Sequence, residues 1–329
     1  MTAEALTTNS WEPSASRQIL QQRASLLRSI RHFFDERNVM EVETPILSHS
    51  SVTDPYLHCF ETQLSEPGKD QTQTLFMMTS PEFHMKRLLA AGSGSIYQIC
   101  KSFRNEESGK LHNPEFTMLE WYRLGFDHHA LMDELELLIK LLLKLENCER
   151  ISYQHAFIEQ LGFDPLVCPN DVLKNAVKGL GLSALMLAEC DRDDLLQLAF
   201  SAYIEPEISK NKPCFVYDFP ASQASLARIC PNDSRVASRF ELYYKGVELA
   251  NGFHELCDVV EQEQRFEKDR QKRKREGSID RSVDPMLLDA LKAGLPDCAG
   301  VALGLDRIFM LALGKERISE VIAFPQSNC

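Results

Sequence analysis

The stretch RVASRFELYY at 235–244, followed two residues later by VELANGF at 247–253, reads as two consecutive strands. Consecutive strands favour an antiparallel sheet. Further strands at 214–219 and 227–229 precede this pair. After it, a charged helix covers about 258–276, and a last strand at 300–303 runs into a helix at 306–313. Toward the N-terminus, Ile19, Leu26, Leu27, Ile30, Phe33 and Phe34 recur at helical spacing between Ser16 and about Asn38. The segment 39–45 alternates apolar and polar residues and stops at Pro45, as a short strand does. Another strand at 75–80 leads into Ser80-Pro81-Glu82, which opens a helix through Ala91 with its proline in the first turn. Strands at 95–103 and 115–123 flank a polar loop at 104–114 that is too long for a tight hairpin. Residues 127–212 are mostly helical, and 131–145 is apolar on most faces, which predicts burial on two sides. The order is α+β. It contains no β-α-β alternation, no G-x-x-x-x-G-K-[ST] and no strand-borne G-x-G-x-x-G, so a nucleotide would be held without Rossmann or P-loop machinery.

Bulk properties narrow the function classes. The 329 residues, 44% hydrophobic and 26% charged, suit a globular chain with a large core. No apolar run reaches the roughly 18 residues of a membrane span. Residues 1–15 form a polar lead without the features of a signal peptide, which predicts a disordered lead and a cytoplasmic protein. The ten cysteines contain no C-x-x-C pair, which predicts buried free thiols and not zinc or a disulfide framework. A net charge of −12 argues against extensive contact with a nucleic-acid backbone. The basic run 268–275 reads most simply as a solvated helix face, with a partner-docking patch as the sharper alternative.

Three separated constellations carry chemistry. In Phe103-Arg104-Asn105-Glu106, the Arg-x-Glu spacing puts both charged side chains on one face of a strand, and arginine offers a planar fork to a phosphate. The plain alternative is a surface ion pair. Between Glu241 and Glu255, acids and Asn251 recur around Gly252, a strand glycine of the kind that marks close approach of a ligand or another backbone. Glu241 and Glu248 could hold magnesium through oxygen, and Asn251 and Glu255 could hold a substrate ammonium. In Gly300-Val301-Ala302-Leu303-Gly304-Leu305-Asp306-Arg307, small residues admit a flat ligand. Arg307 stands in a helix first turn against the dipole, which stacking on an adenine or reaching a phosphate would explain.

Glu41-Val42-Glu43-Thr44-Pro45, then Arg104 through Glu120, then Gly304-Leu305-Asp306-Arg307 resemble, in order, motifs 1, 2 and 3 of class II aminoacyl-tRNA synthetases. ELANGFHEL at 248–256 is most similar to the lysine-specific enzyme. The resemblance spans nearly all of 16–325 and implies one catalytic domain, an antiparallel sheet flanked by helices, that forms a homodimer. It implies that Arg104 clamps the α-phosphate and carboxylate, and that Arg307 and Phe116 sandwich the adenine of ATP. Asn105, Glu106, His112, Asn113, Leu249 and Gly304 would complete the ATP site, with Glu241 and Glu248 carrying Mg2+. Ser80, Pro81, Glu82 and Glu120 would face the amino acid near its carboxylate end, and Tyr122, Asn251, Phe253, Glu255 and Ala302 would line the rest of its pocket.

Two departures refine the expectation. Only about 15 residues precede the first helix, too few for the anticodon-reading barrel of lysyl-tRNA synthetases, so no anticodon contact is expected. Ala302 replaces a glycine of the synthetase pattern, and its methyl would crowd an α-amino acid while suiting a β-amino acid. Both departures resemble the truncated lysyl-tRNA synthetase paralogues that adenylate (R)-β-lysine and pass it to a lysine ε-amine of elongation factor P. The alternatives are a lysine-adenylating ligase acting on a tRNA or small molecule, and a non-catalytic paralogue; the presence of Arg104 and Arg307 argues against the second.

Overall fold

The computed structural model describes residues 11–329, so residues 1–10 of the expected lead lie outside the described residues. Eleven strands follow in chain order: β1 (Met40–Glu41), β2 (Leu47–Ser48), β3 (Glu61–Leu64), β4 (Gln73–Met77), β5 (Ile96–Phe103), β6 (Glu115–Leu124), β7 (Glu149–Ser152), β8 (Cys214–Pro220), β9 (Val236–Tyr244), β10 (Val247–His254) and β11 (Cys298–Gly304). Eight of them form one sheet in the order β1-β5-β6-β11-β10-β9-β8-β7, and β2, β4 and β3 form a small second sheet. The six central strands of the large sheet are antiparallel, and only its edges, β1 on β5 and β7 on β8, pair in parallel. The α+β antiparallel architecture expected from the sequence is the one found.

Strand alternation divides this sheet into an apolar face and a chemical face. Leu119, Trp121, Phe240, Leu242, Val301 and Leu303 pack under the helices Arg17–Asp35, His128–Leu143 and Leu305–Ala312. The first of these helices begins where Ser16 accepts a hydrogen bond from the Ile19 N–H, which satisfies a donor the helix leaves open. Its Phe34 stacks on Tyr97 of β5 at 4.4 Å and meets Trp121 of β6 edge-on. Burial of one such aromatic is worth roughly 1.5–3 kcal/mol. Trp121 Nε1 donates to Glu134 at 3.0 Å, the one acid on the buried side of His128–Leu143. On the chemical face, the helices Glu82–Ala90, Pro285–Gly294 and Val259–Arg275 close over one end, with Phe83, Phe266 and Leu287 between them. The helices of 153–208 form a further core against Val216, Phe219 and Tyr243 at the other end.

Several expectations are corrected. The segment 227–229 is not a strand but touches the sheet through isolated bridges, Ala227 to Glu255 and Ile229 to Ala237. The helix His128–Leu143 is buried on one side only, because Leu137 and Leu141 are half-exposed on the other. The segment 39–45 contributes only the two residues of β1. β7, the small sheet apart from β4, and the helix Pro285–Gly294 were not expected. The basic run is neither a wholly solvated face nor a free patch. Arg273 is buried and donates to the carbonyls of Thr53, Asp54 and Leu57, while Lys272 donates to Tyr56 Oη at 2.6 Å and pairs with Asp191 at 2.9 Å. These bonds fasten three segments at the mouth of the site. All ten cysteines are free, most of them buried or half-buried, with Cys329 exposed. Among the described residues no helix is long and apolar enough to cross a membrane.

Candidate active site

Pairing across five strands sets the site. Glu241, Asn251, Ala302, Glu120 and Gln98 stand in one row across β9, β10, β11, β6 and β5. Arg239, Phe253, Gly300, Tyr122 and Ile96 form the next row on the same face. A register shift between Glu248 and Ala250 brings Glu248 opposite Tyr243 and so onto this face, where unbroken alternation would have turned it into the core. Above these rows lies a cavity of about 2200 Å³. Its lining includes Ser80, Glu82, Arg104, His112, Asn113, Phe116, Glu120, Tyr122, Glu241, Glu248, Leu249, Asn251, Phe253, Glu255, Ala302, Gly304 and Arg307. Sequence reasoning named all of these. Pro81, Asn105 and Glu106 do not line it.

One end of the cavity is acidic. Glu120 and Glu255 are almost fully buried, and Glu82 lies beside them on its helix. Tyr122 Oη donates to Glu120 Oε1 at 2.7 Å, whereas Glu120 Oε2 and Glu255 Oε1 are buried without a hydrogen-bond partner. Lys86, one helical turn after Glu82, places its Nζ 2.8 Å from Glu82 and 2.6 Å from Glu255 Oε2; the second contact is close but off the hydrogen-bond direction. Burial, then the charge of Glu82, pushes the Glu120 carboxyl up to about 8. Burial likewise raises Glu255 to about 7, although Lys86 opposes it. For Lys86, burial pulls downward, but Glu255 and Glu82 outweigh it and hold the ammonium above its usual range. Three carboxyls face one lysine, Glu120 Oε2 and both Glu255 oxygens lack a hydrogen-bond donor, and a surplus of two negative charges develops once an incoming cation draws the raised Glu120 and Glu255 carboxyls into their ionised form. Such a pocket takes a cation with more than one donor.

Gly300 makes this end possible. A Cβ there would lie 2.3 Å from Tyr122 Cε1 and 2.7 Å from Glu255 Oε1. Gly252 has a different reason from the expected one: its Cβ would lie 2.4 Å from the Phe240 ring, so the close approach is core packing and not a ligand.

The other end gathers cations and aromatic rings. The Arg104 guanidinium stands 5.2 Å from the Phe116 ring and 3.6 Å from Glu107, and its Nε is buried without a partner. Arg104 and Glu106 do not share a strand face as expected. β5 ends at Phe103, and Glu106 sits at φ 67° in a turn, exposed. Arg307 is preset by the chain: Nη1 donates to the Glu248 carbonyl at 2.8 Å and Nε to the Leu111 carbonyl. Its Nη2 meets His112 Nε2 at 2.7 Å, and a guanidinium only donates, so His112 is neutral with its proton on Nδ1. Burial and Arg307 both lower the His112 pKa, in agreement. Asn113 spends its side chain within the chain, donating to the Glu115 carbonyl and accepting from the Gln326 N–H.

Between the ends, Arg239 donates to Asn251 Oδ1 at 3.2 Å and pairs with Glu241, which also accepts from Tyr243 Oη. Glu205, from the helical segment, lines the same region, and burial followed by Glu248 and Glu241 raises its carboxyl to about 7. Lys86, Arg239, Glu107, Glu205 and Gly300 were not named as site residues. The i,i+4 spacing of Glu82 and Lys86 and the i,i+2 spacing of Arg239 and Glu241 were legible signals for two of them. The helical reach of Glu205 left none.

An antiparallel sheet whose chemical face carries an arginine-and-histidine end and an acidic end defines a class of amino-acid-activating enzyme. The family described as tRNA synthetases class II (D, K and N) matches residues 9–328, and the chain belongs to it. Among its curated relatives, a protein of Vibrio atlanticus is 62% identical over 96% of this chain and 98% of its own. One of Vibrio cholerae is 59% identical over 97% and 99%, and one of Yersinia enterocolitica is 57% identical over 97% and 98%. Each of the three bears the name elongation factor P–(R)-β-lysine ligase.

Proposed function

We propose that the chain is an ATP-dependent ligase that adenylates (R)-β-lysine and transfers it to a lysine side chain of elongation factor P. The observation that carries the reading is the acidic pocket, whose two surplus negative charges match the two ammonium groups of a diamino acid. The name borne by relatives that align over nearly the whole chain supports the β-amino acid and the acceptor. Ala302, between Asn251 and Glu120 in the row, puts a methyl where an α-ammonium would press and a β-ammonium would be displaced along the substrate chain.

In the first step a substrate carboxylate oxygen attacks the α-phosphorus of ATP in line and pyrophosphate leaves. Catalysis here is positioning and charge stabilisation. Arg104, with a free buried Nε, receives charge developing on the α-phosphate, and Phe116 and Arg307 hold the adenine between them. Asn105 and Glu106 lie on the turn after β5, outside the cavity, and would act only if the 104–114 loop moved onto ATP. In the second step the neutral ε-amine of the acceptor attacks the acyl carbonyl and AMP departs.

Mg2+ fits the middle of the site in part. Burial, then Glu248 and Glu241, raises the Glu205 carboxyl, and burial with Glu248 raises that of Glu241 against the pull of Arg239, as happens among carboxylates short of a cation. Among the described residues no group of three or more such side chains converges as a complete ligand set, which suits an ion held chiefly by phosphates and water. Glu241 and Glu248 would hold it, and its charge would offset that of the phosphates. A homodimer through the edge beside β1 agrees with the exposed Met40, Ile46 and Leu47 there. We place the enzyme in the cytoplasm and read 16–325 as one catalytic domain.

The test is transfer itself. The purified chain with ATP, Mg2+ and (R)-β-lysine should add one β-lysyl mass to elongation factor P at a single lysine. Activation without transfer to the factor, alongside transfer to a tRNA, would move the reading to the alternative acceptor.

A further inference from the structure

Lys86 takes no part in the reaction described above and does not line the cavity. It is nevertheless the cation on which the acidic pocket is built. Its side chain is 2% exposed and its ammonium lies between Glu82 and Glu255, which approach from different elements. Glu120 and Tyr122 face the group from β6, Cys298 from β11, and Cys257 and Arg228 from behind Glu255. With so little solvent, the charge on the carboxylates is set by these neighbours.

We propose that Lys86 is a positioning residue that fixes the charge of the amino-acid pocket, its ammonium set between Glu82 and Glu255 so that the site accepts a substrate with two ammonium groups. This rests on the reading of the acidic end as the amino-acid pocket. Lys86 offsets one carboxylate, points its ammonium at Glu255 Oε2, and leaves Glu255 Oε1 and Glu120 Oε2 for the ligand. Without it, three carboxylates crowd one buried site, and like charges there take up protons. A protonated carboxylic acid can no longer act as a full counter-charge to an ammonium group.

The consequence is a pH signature that a merely structural lysine would not give. An opposite charge within a few ångströms lowers a carboxyl pKa by about 1–3 units. Removing it should raise the affected pKa by a similar amount. The dissociation constant of (R)-β-lysine should then rise about 10- to 100-fold at pH 7 in Lys86→Gln, which keeps amide donors but removes the charge. The ratio of variant to wild-type dissociation constants should fall toward or below one as pH rises from 7 to 9. Titration of the substrate cancels in that ratio. Lys86→Arg, which keeps the charge, should show a ratio independent of pH even where affinity is reduced by fit. Calorimetric titration of the full-length proteins at several pH values measures all of this. A pH-independent ratio for Lys86→Gln, or for Lys86→Arg a ratio that falls with pH, overturns the proposal. Should Lys86→Gln not fold, Lys86→Met, which fills similar space without the charge, is titrated in its place and must show the same fall of the ratio with pH. Failure of wild type itself to bind (R)-β-lysine overturns the pocket reading, and the proposal with it.

Discussion

Replacing Gly300 by alanine tests how the acidic pocket is assembled. The added Cβ would lie 2.3 Å from Tyr122 Cε1 and 2.5 Å from Cδ1, so the ring has to move. Tyr122 is buried in one cluster with Phe83, Ile96 and Cys298 and also lines the cavity, so a displaced ring shifts into the space meant for the amino acid. Overpacking of this kind costs about 1–3 kcal/mol. Movement also breaks the 2.7 Å hydrogen bond from Tyr122 Oη to Glu120, which leaves a buried carboxylate short of a donor for about 1–3 kcal/mol more. The methyl further meets Glu255 Oε1, an acceptor reserved for the ligand. If only a third of the combined cost falls on substrate binding, about 1–2 kcal/mol, KM for (R)-β-lysine rises about 5- to 30-fold. KM for ATP should stay near wild type, because the atoms nearest the added Cβ belong to Tyr122 and Glu255, at the amino-acid end of the cavity. Pyrophosphate exchange with each substrate varied in turn measures the split. An unchanged KM for the amino acid, with the fold intact by thermal melting, would refute the packing argument.

Other perturbations address other parts of the account. Arg104→Ala should lower pyrophosphate exchange about 100- to 1000-fold, the usual effect of removing a preorganised charge contact, with little change in melting temperature. Arg23 pairs with buried Asp306 at 2.6 Å and donates to Thr117 Oγ1 at 2.8 Å, joining the first helix, β6 and the last helix. Arg23→Ala strands the Asp306 carboxylate and should destabilise the protein by about 3 kcal/mol, read from denaturant unfolding; a change below about 0.5 kcal/mol would show the pair to be incidental. Glu120 and Glu255 have folded pKa values raised to about 8 and about 7 from 4.5. Their contribution to stability is therefore fully present below about pH 4.5 and lost as pH rises through 7 and 8. The melting temperature of the unliganded protein should fall across that window, and the stabilisation gained from added (R)-β-lysine should grow. A ligand effect that shrinks with rising pH would contradict these assignments.

The fold was legible where one residue pattern had one physical outcome. Ile30, Phe33 and Phe34 at helical spacing after Ser16, and the paired strands ending in 235–253, needed only periodicity and a cap. Legibility failed where a segment takes its form from distant partners. The backbone at 227–229 pairs only at isolated bridges, and β7 exists because Cys214–Tyr217 offers it an edge. At the site, the acids and arginines singled out from short motifs come together around one cavity. Orientation was harder. Glu248 faces the cavity through a register shift that no alternation rule predicts, and Asn113 spends its amide on the chain's own C-terminal segment. Gly252 is expected to admit a ligand or another backbone, whereas what comes close is the Phe240 ring. Lys86 and Arg239 each have one acid at a legible spacing, Glu82 and Glu241, but the second partner of Lys86, Glu255, comes beside it only in the folded chain.

The reaction assigned to this site is the activation of (R)-β-lysine with ATP. ATP–pyrophosphate exchange with (R)-β-lysine and α-lysine side by side, in the absence of RNA, tests it most directly. Strong exchange with the β-amino acid and much weaker exchange with α-lysine are expected, because the Ala302 methyl would crowd an α-ammonium. Equal or preferential exchange with α-lysine would contradict it, and would leave an adenylating synthetase fold with a different substrate.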